Sequence, residues 1–193
     1  MGVRDFIVVS CDRSEVRDFI ETYHYSGSIN GIKSSYCFKL MRDEQLIGAA
    51  IFGLLGMASV WKKYANQRED LIELRRLCCI DETPRNTESY FIGHCLRWLK
   101  KNTPTKKVIS YADPRYGHAG VIYQASNFEY LGKTAPSRVI VWGSREYHDK
   151  TIRTYYNGKL KPYAARVKRA LESGEAYYER TPGKHIYLYQ LYR

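Results

Sequence analysis

A chain of 193 residues with 44% hydrophobic and 14% aromatic side chains can bury one sizeable core and is too apolar to be disordered. A membrane span is excluded, because no apolar run approaches the roughly 20 residues one needs. A disulfide or zinc framework is excluded too, because the five cysteines (Cys11, Cys37, Cys78, Cys79, Cys95) are odd in number and include no CxxC pair. The net charge of +11 is uneven: residues 1–132 carry 18 basic and 15 acidic side chains (+3), and residues 133–193 carry 13 and 5 (+8). The N-terminus, MGVRDFIVVSCDRS, lacks the charged, apolar, small-residue layout of a secretion signal, which fits an intracellular protein.

Taken in chain order, Phe6–Ser10 is a short apolar strand. Ser14 can cap a helix running to about Tyr23, with Val16, Phe19, Ile20 and Tyr23 on one face. After a Gly/Ser/Asn loop, 35–41 and 46–52 read as a hairpin around the polar turn 42–45. Residues 53–70 read as irregular, with Trp61 and Tyr64 exposed. Leu71–Ile80 is the central strand, and Asn86 can cap a helix over 89–101, whose apolar Phe91, Ile92, Cys95, Leu96 and Leu99 recur at helical spacing. Lys100 and Lys101 stand at its negative end. Val108–Ala112 is a second apolar strand ending in Asp-Pro, followed by a short helix with Tyr123, a turn and a third strand. Beyond it, 138–143 reads as a strand, 151–160 is ambiguous, 162–174 reads as a basic helix and 185–192 as the last strand. No repeat, low-complexity segment or linker interrupts the chain, so residues 1–193 read as a single domain with a basic, Tyr-rich part from about 133.

That part holds nine of the 18 tyrosines. Basic residues interleaved with aromatics suit nucleic acid, since cations neutralise phosphates and rings stack on exposed bases. Polar residues crowd the strand–helix junctions of 71–134, where α/β layers bind ligands: Arg75, Arg76, Asn86, Ser89, Asp113 and Tyr123. Arg75 and Arg76 are adjacent on a strand and so are expected on opposite faces. Pro114 holds Asp113 extended at a strand end, where its carboxylate can bond an amine or take its proton. His24 and His118 each lack a second ligand at a diagnostic metal spacing.

Two levels of resemblance overlie these readings. Strand, anion-binding turn, helix, strand and a helix with Tyr followed by Asn127-Phe128 resembles the core of GNAT acyltransferases. The words ELRRL, NTESYFI, SYADPRYGHAGVIYQASNF and GKHIYLYQL are similar to the Mom family of phage DNA-modification proteins, over about two thirds of the chain. The resemblance implies an α+β fold with a mixed, mostly antiparallel central sheet flanked by helices. It implies a phage-encoded transferase in the host cytoplasm that adds a carbamoylmethyl group to the exocyclic N6 amine of adenine in DNA, blocking restriction enzymes.

By the same resemblance Arg76, Ser89, Asp113 and Tyr123 are the catalytic positions, with Tyr123 a candidate proton donor. Candidate cofactor-binding positions are Cys78, Cys79, Arg85, Asn86 and Ser89, for acetyl-CoA or another acyl-CoA; Cys78 and Cys79 also read simply as core side chains. The anion turn departs from the GNAT pattern: its glycines are gone, Ser89 carries a side chain where backbone approaches pyrophosphate, and Glu88 opposes it while Arg85 offsets it. Iron enters by family resemblance only. The DNA partner is expected to present its adenine flipped out or single-stranded, stacked on Tyr36, Trp61 or Tyr64, with Arg166, Lys168 and Arg169 on phosphates. Two alternatives stand beside this reading: an ordinary N-acetyltransferase acting on a protein, tRNA or small amine, and a non-catalytic nucleic-acid-binding module.

Overall fold

The structure, a computed structural model, describes residues 2–192. Ile7–Cys11 forms the first strand (β1) and Arg13–Tyr23 the first helix (α1). The helix is capped at Asp12 rather than Ser14. Glu15 Oε1 accepts the Asp12 N–H at 2.9 Å, so a carboxylate one turn in satisfies an otherwise orphaned donor. The hairpin Ser34–Arg42 (β2) and Gln45–Gly53 (β3) turns through Asp43 in the left-handed region at φ 52°. The stretch after it is less irregular than its composition suggests. Trp61–Tyr64 forms one helical turn (α2), and both aromatic side chains pack half-buried on Leu71, Ile109, Ile186 and Leu188.

Leu71–Cys79 (β4), Thr87–Asn102 (α3), Lys107–Ala112 (β5), Val121–Ala125 (α4) and Glu129–Lys133 (β6) follow. Asn86 stands at the start of α3, but in the left-handed region at φ 71° with no side-chain cap, which corrects the capping role expected of it. Then come Ser137–Trp142 (β7), Arg145–His148 (β8), the two-residue strands Tyr155–Tyr156 (β9) and Lys159–Leu160 (β10), Pro162–Ser173 (α5), Ala176–Thr181 (β11) and His185–Gln190 (β12). Strands β8 and β11 were not expected from the sequence.

The described residues fall into two compact units. The first comprises the residues up to Ala112, His118–Gly132 and those from His185 on; the second comprises Asp113–Gly117 and Lys133–Lys184, so its long segment starts where the excess of basic residues begins.

The first unit is built on a seven-stranded sheet in the order β1-β2-β3-β4-β5-β12-β6. It is mixed and mostly antiparallel, as expected, with β4 and β5 parallel. Val16, Phe19 and Ile20 of α1 cover one face, against Ala49, Ile51 and Cys78. Phe91, Ile92, Cys95, Leu96 and Leu99 of α3 cover the other, against Ala50, Phe52, Ile72 and Leu74. All five cysteines are free.

Two irregularities in β4 shape this unit. Its pairing with β3 passes from Leu74↔Phe52 to Arg76↔Ile51, which leaves Arg75 as the extra residue of a β-bulge. Its parallel pairing with β5 runs from Leu71↔Lys107 to Glu73↔Ile109 and stops, although both strands continue. Beyond Glu73 the two strands diverge, and their facing backbone edges are left without ladder partners.

In the second unit, β11-β7-β8 form an antiparallel sheet with α5 packed on Ile140 and Ala176 through Val167 and Ala170. The two ends of its long segment are tied together: Thr134 N donates to Lys184 O at 2.9 Å, and Lys184 N to Thr134 Oγ1 at 2.9 Å. Gly183 permits this approach, since a Cβ there would lie 1.9 Å from Thr134 O.

Helix α4 depends on Gly120, at φ +77°. A Cβ there would stand 2.2 Å from the Tyr187 ring, which is 1% exposed and fixed by a 2.6 Å bond from its hydroxyl to Ala119 O. The ring has nowhere to go. Gly120→Ala should therefore combine left-handed backbone strain with overpacking and cost roughly 2–4 kcal/mol. A denaturant titration checks this: an unshifted midpoint would mean that the ring gives way.

Candidate active site

The bulge decides which way the polar side chains of β4 point. Before it, Ile72 and Leu74 face α3. After it, Leu77 and Cys79 face α3, and Cys78 faces α1. The parity of the strand has flipped, so Arg75 and Arg76 lie on the same face, not on opposite faces as strict alternation requires. Arg75 pairs with Glu73 at 3.0 Å, and the second Glu73 oxygen accepts the Gly56 N–H at 2.7 Å. Arg75 Nε is buried without a hydrogen-bond partner among the described residues. Burial and the Glu73 charge raise the Tyr111 phenol pKa beside this pair.

Arg76 is held differently. Its Nε and Nη2 donate to Ser28 O at 3.2 and 3.1 Å, and its Nη1 to Arg75 O at 2.8 Å. Carbonyls fix the guanidinium and, among the described residues, no carboxylate hydrogen-bonds it, so its charge remains available to an anion. Burial lowers its pKa. Beside it, His24 is 8% exposed, and its Nδ1 accepts the Ser26 N–H at 3.1 Å, which places the proton of the neutral ring on Nε2. Burial, then Arg76 and His118, bring the His24 pKa down to about 4. Tyr25 stacks between His24 (4.2 Å) and His118 (5.1 Å).

On α4, Tyr123 is buried against Phe128 and Tyr187, with ring centroids 5.5 and 5.2 Å away. Burial pushes its phenol up to about 12, while the Ser110 hydroxyl pulls the other way. Tyr123 therefore holds its proton at neutral pH. Ser110 Oγ also reaches Leu74 O at 3.4 Å, so it stands where β4 and β5 part. Tyr25 bears electrostatically on both Arg76 and Tyr123. Arg76, Tyr25, Ser110 and Tyr123 thus gather around the divergence, flanked by the start of α3.

At that helix start, Ser89 Oγ donates back to Asn86 O at 3.0 Å. The amides of Glu88 and Ser89 belong to the first turn, whose donors an α-helix leaves without intrahelical partners. Arg85 is exposed and makes no ion pair or hydrogen bond among the described residues, and Glu88 lies near enough to raise the Cys79 pKa. Burial pushes Cys78 up to about 12 and Cys79 higher still, so neither thiol ionises. Cys79 can offer a ligand backbone on the open edge of β4, whereas Cys78, two residues from the Ile80 N–H that bonds Ile47 O, directs its backbone to β3.

The other expected site residues have these surroundings. Asp113 belongs to the second unit, 7% exposed, ion-paired with Lys184 at 2.9 Å and accepting the Arg115 N–H at 3.1 Å. Arg166 and Arg169 are exposed on α5, and Lys168 pairs with Glu172 at 3.8 Å. Tyr36 is half-buried against Trp98 at 5.8 Å and lines a cavity with it, and Trp61 and Tyr64 are packed as described. For iron the residues do not fit: among the described residues no three His, Cys, Asp or Glu side chains converge. Tyr25 and Ser110 were missed from the sequence; a lone Ser inside the apolar strand KVISYA was the available signal.

The buried neutral His24 makes stability pH-dependent. With a folded pKa near 4 against 6.5 unfolded, the unfolded chain binds more protons between these values. The stabilising contribution is whole above pH 6.5 and is lost as pH falls towards 4. His24→Asn keeps an acceptor for the Ser26 amide and cannot titrate. Urea unfolding at pH 7 and pH 5 should show a smaller loss of stability for the variant than for wild type; equal losses would exclude His24 as the source.

Comparison with known proteins bears on both fold and family. A mutant of the spermidine N-acetyltransferase SpeG from Vibrio cholerae aligns over 97% of this chain and 95% of its own, at 9% identity and TM-score 0.52. The Arabidopsis thaliana protein NAA60, solved in complex with acetyl-CoA, aligns over 96% and 98%, at 10% identity and TM-score 0.54. The fold is that of the GNAT acetyltransferases. The methylcarbamoylase mom of Escherichia phage Mu is 30% identical over 146 residues, which is 74% of this chain and 59% of that protein. The chain therefore spans less than two thirds of that relative's length. The family model described as the Mom protein family matches residues 5–193, and with the phage relative it shows that the chain belongs to the Mom protein family.

Proposed function

We propose that this chain is a phage-encoded, DNA-modifying transferase that acts in the host cell on the exocyclic N6 amine of adenine and adds a carbamoylmethyl-type group. Family membership supports the reaction class. The observation that carries it to a site is the β4–β5 divergence, with open backbone edges, a carbonyl-held Arg76 and a protonated Tyr123 gathered at its mouth.

An acyl-CoA fits this place. The open edge of β4 offers hydrogen bonds to an amide-bearing arm, and the start of α3 with Arg85 offers donors and charge to a pyrophosphate, against Glu88. When bound, such a thioester supplies an activated acyl carbon and a thiolate leaving group. Tyr123 holds a proton at its Oη in a buried setting, ready for a departing anion. Arg76, held by carbonyls, stabilises developing negative charge. Adenine's amine is a poor nucleophile buried in the duplex, so the base must be extruded or single-stranded before it enters.

The product's connectivity constrains the donor. Acyl transfer from an acetyl thioester bonds nitrogen to a carbonyl carbon as the thiolate departs, whereas a carbamoylmethyl product bonds it to a methylene. The latter requires a donor that carries the amide and whose leaving group departs from that methylene, with Tyr123 and Arg76 then serving that departing group. Fragmentation mass spectrometry of nucleosides from expressing cells distinguishes the two products. The expected outcome is a modified deoxyadenosine with nitrogen on methylene. Unmodified DNA beside an acetylated polyamine or protein would favour the ordinary N-acetyltransferase reading, which the fold of the spermidine acetyltransferase also suits. Unmodified DNA and no acetylated product, with folded protein present, would sink both.

For Asp113 the proposal rests on the resemblance: its carboxylate accepts from the amine. Asp113→Asn preserves shape, removes the basic oxygen and weakens the ion pair with Lys184. Modification should fall by at least about a hundredfold, with the unfolding midpoint little changed. Near-normal modification would leave Asp113 as the residue that anchors Lys184 and the Arg115 turn.

A further inference from the structure

The second unit carries a cavity of about 430 Å³ lined by Trp142, Arg145, Tyr147, Tyr163 and Arg166. A second groove of about 320 Å³ shares Trp142 and Arg166 and adds Arg169. The sheet and α5 make both. Helix α5 covers the Ile140 and Ala176 end of the β11-β7-β8 face. Trp142 and Tyr147 are left half-buried, with ring centroids 6.4 Å apart. Arg145 stands directly across the strand pair from Trp142.

Several arginines of the unit are already paired. Arg115 has Glu146 and Glu179, and Arg138 and Arg153 share Asp149. Arg145, Arg166 and Arg169 are exposed and have no ion pair or hydrogen bond among the described residues. One carboxylate, Glu175, lines the groove, and it accepts from Ser173 at 3.2 Å. An aromatic recess rimmed by three uncompensated arginines wants a flat π-surface with negative charge on either side of it. A phosphate alone leaves the rings unused, and an acidic peptide has no ring to stack.

We propose that this recess binds one unpaired nucleotide of a DNA strand, its base stacked on Trp142 and Tyr147 and its flanking phosphates on Arg145, Arg166 and Arg169. The proposal rests on the reading of DNA as substrate, and it adds a second, non-reacting place where a base is held out of the stack. The volume suits a single base at the lower end of small-ligand sites. Such a site favours strands whose bases are already unpaired, and every base has a π-face, so it carries little sequence preference.

Binding of the full chain to a short single-stranded oligodeoxynucleotide, to an abasic strand of the same length and to a duplex tests this without any turnover. Wild type should bind the base-bearing strand about tenfold tighter than the abasic one. Trp142→Leu, which keeps apolar bulk, should lose that preference and leave duplex binding unchanged. Arg145→Gln, at an exposed position that should not disturb folding, should lower the salt slope on single strands by about 0.7. Equal affinity of wild type for the two single strands, or a preference that survives Trp142→Leu, overturns the proposal. So does a salt slope unmoved in Arg145→Gln. Nucleoside analysis is independent of these titrations: unmodified DNA with the base preference intact defeats the catalytic reading and leaves the recess standing, and modified DNA without that preference does the reverse.

Discussion

One extra residue in β4 governs most of what the first unit can do. A regular strand would put Arg75 and Arg76 on opposite faces and drive one guanidinium among the apolar side chains under α3. The bulge at Arg75 prevents that burial. It reverses the parity of the strand, keeps Leu77 and Cys79 in the core, and lines Glu73, Arg75 and Arg76 along one face. The two arginines then part in role through their partners. Arg75 is ion-paired with Glu73, whereas the hydrogen bonds of Arg76 among the described residues go to carbonyls, which leave it its charge. The end of β4–β5 pairing at Glu73, two residues before the bulge, completes the arrangement, because a strand that bends away cannot keep its parallel partner.

Much of the fold was legible in the sequence because its helices repeat at helical spacing and its inner strands are short apolar runs. The helix α3 shows its period, and β3 and β5, buried almost throughout, stand out as apolar runs. What stayed hidden has physical causes. AYYERT and REYH became strands with only Ala176 and Thr181 buried, so tertiary pairing rather than hydrophobic alternation sets them. Trp61 and Tyr64 sit in a polar stretch, and nothing local reveals that distant Leu71, Ile109 and Ile186 cover them. The bulge left no mark, since an inserted Arg beside another Arg reads the same in either register. Asn86 was rightly placed at the start of a helix, but its left-handed backbone turns the side chain away from capping.

The candidate site divides in the same way. Arg76 and Tyr123 were named from the words around them, and they gather at the divergence of β4 and β5. Tyr25 and Ser110 could be recognised only by what they approach. The basic tail half proved a mixture: its net charge counts paired arginines together with unpaired ones, and only side-chain geometry separates Arg138 and Arg153 from Arg145 and Arg166.

The tie between Thr134 and Lys184 bears on how the chain reaches this fold. Strand β12 pairs with β5 across a long stretch of sequence, and distant pairings of this kind slow folding because a large loop must close first. If the second unit condenses early, its ends are already clasped beside Gly183, and the segment from 134 to 184 collapses to a link a few ångströms long. Strand β12 then needs to close only the short remainder. By this route a late-made strand enters between β5 and β6 at little entropic disadvantage, and loosening the clasp would show first in the refolding rate and only later in the native state.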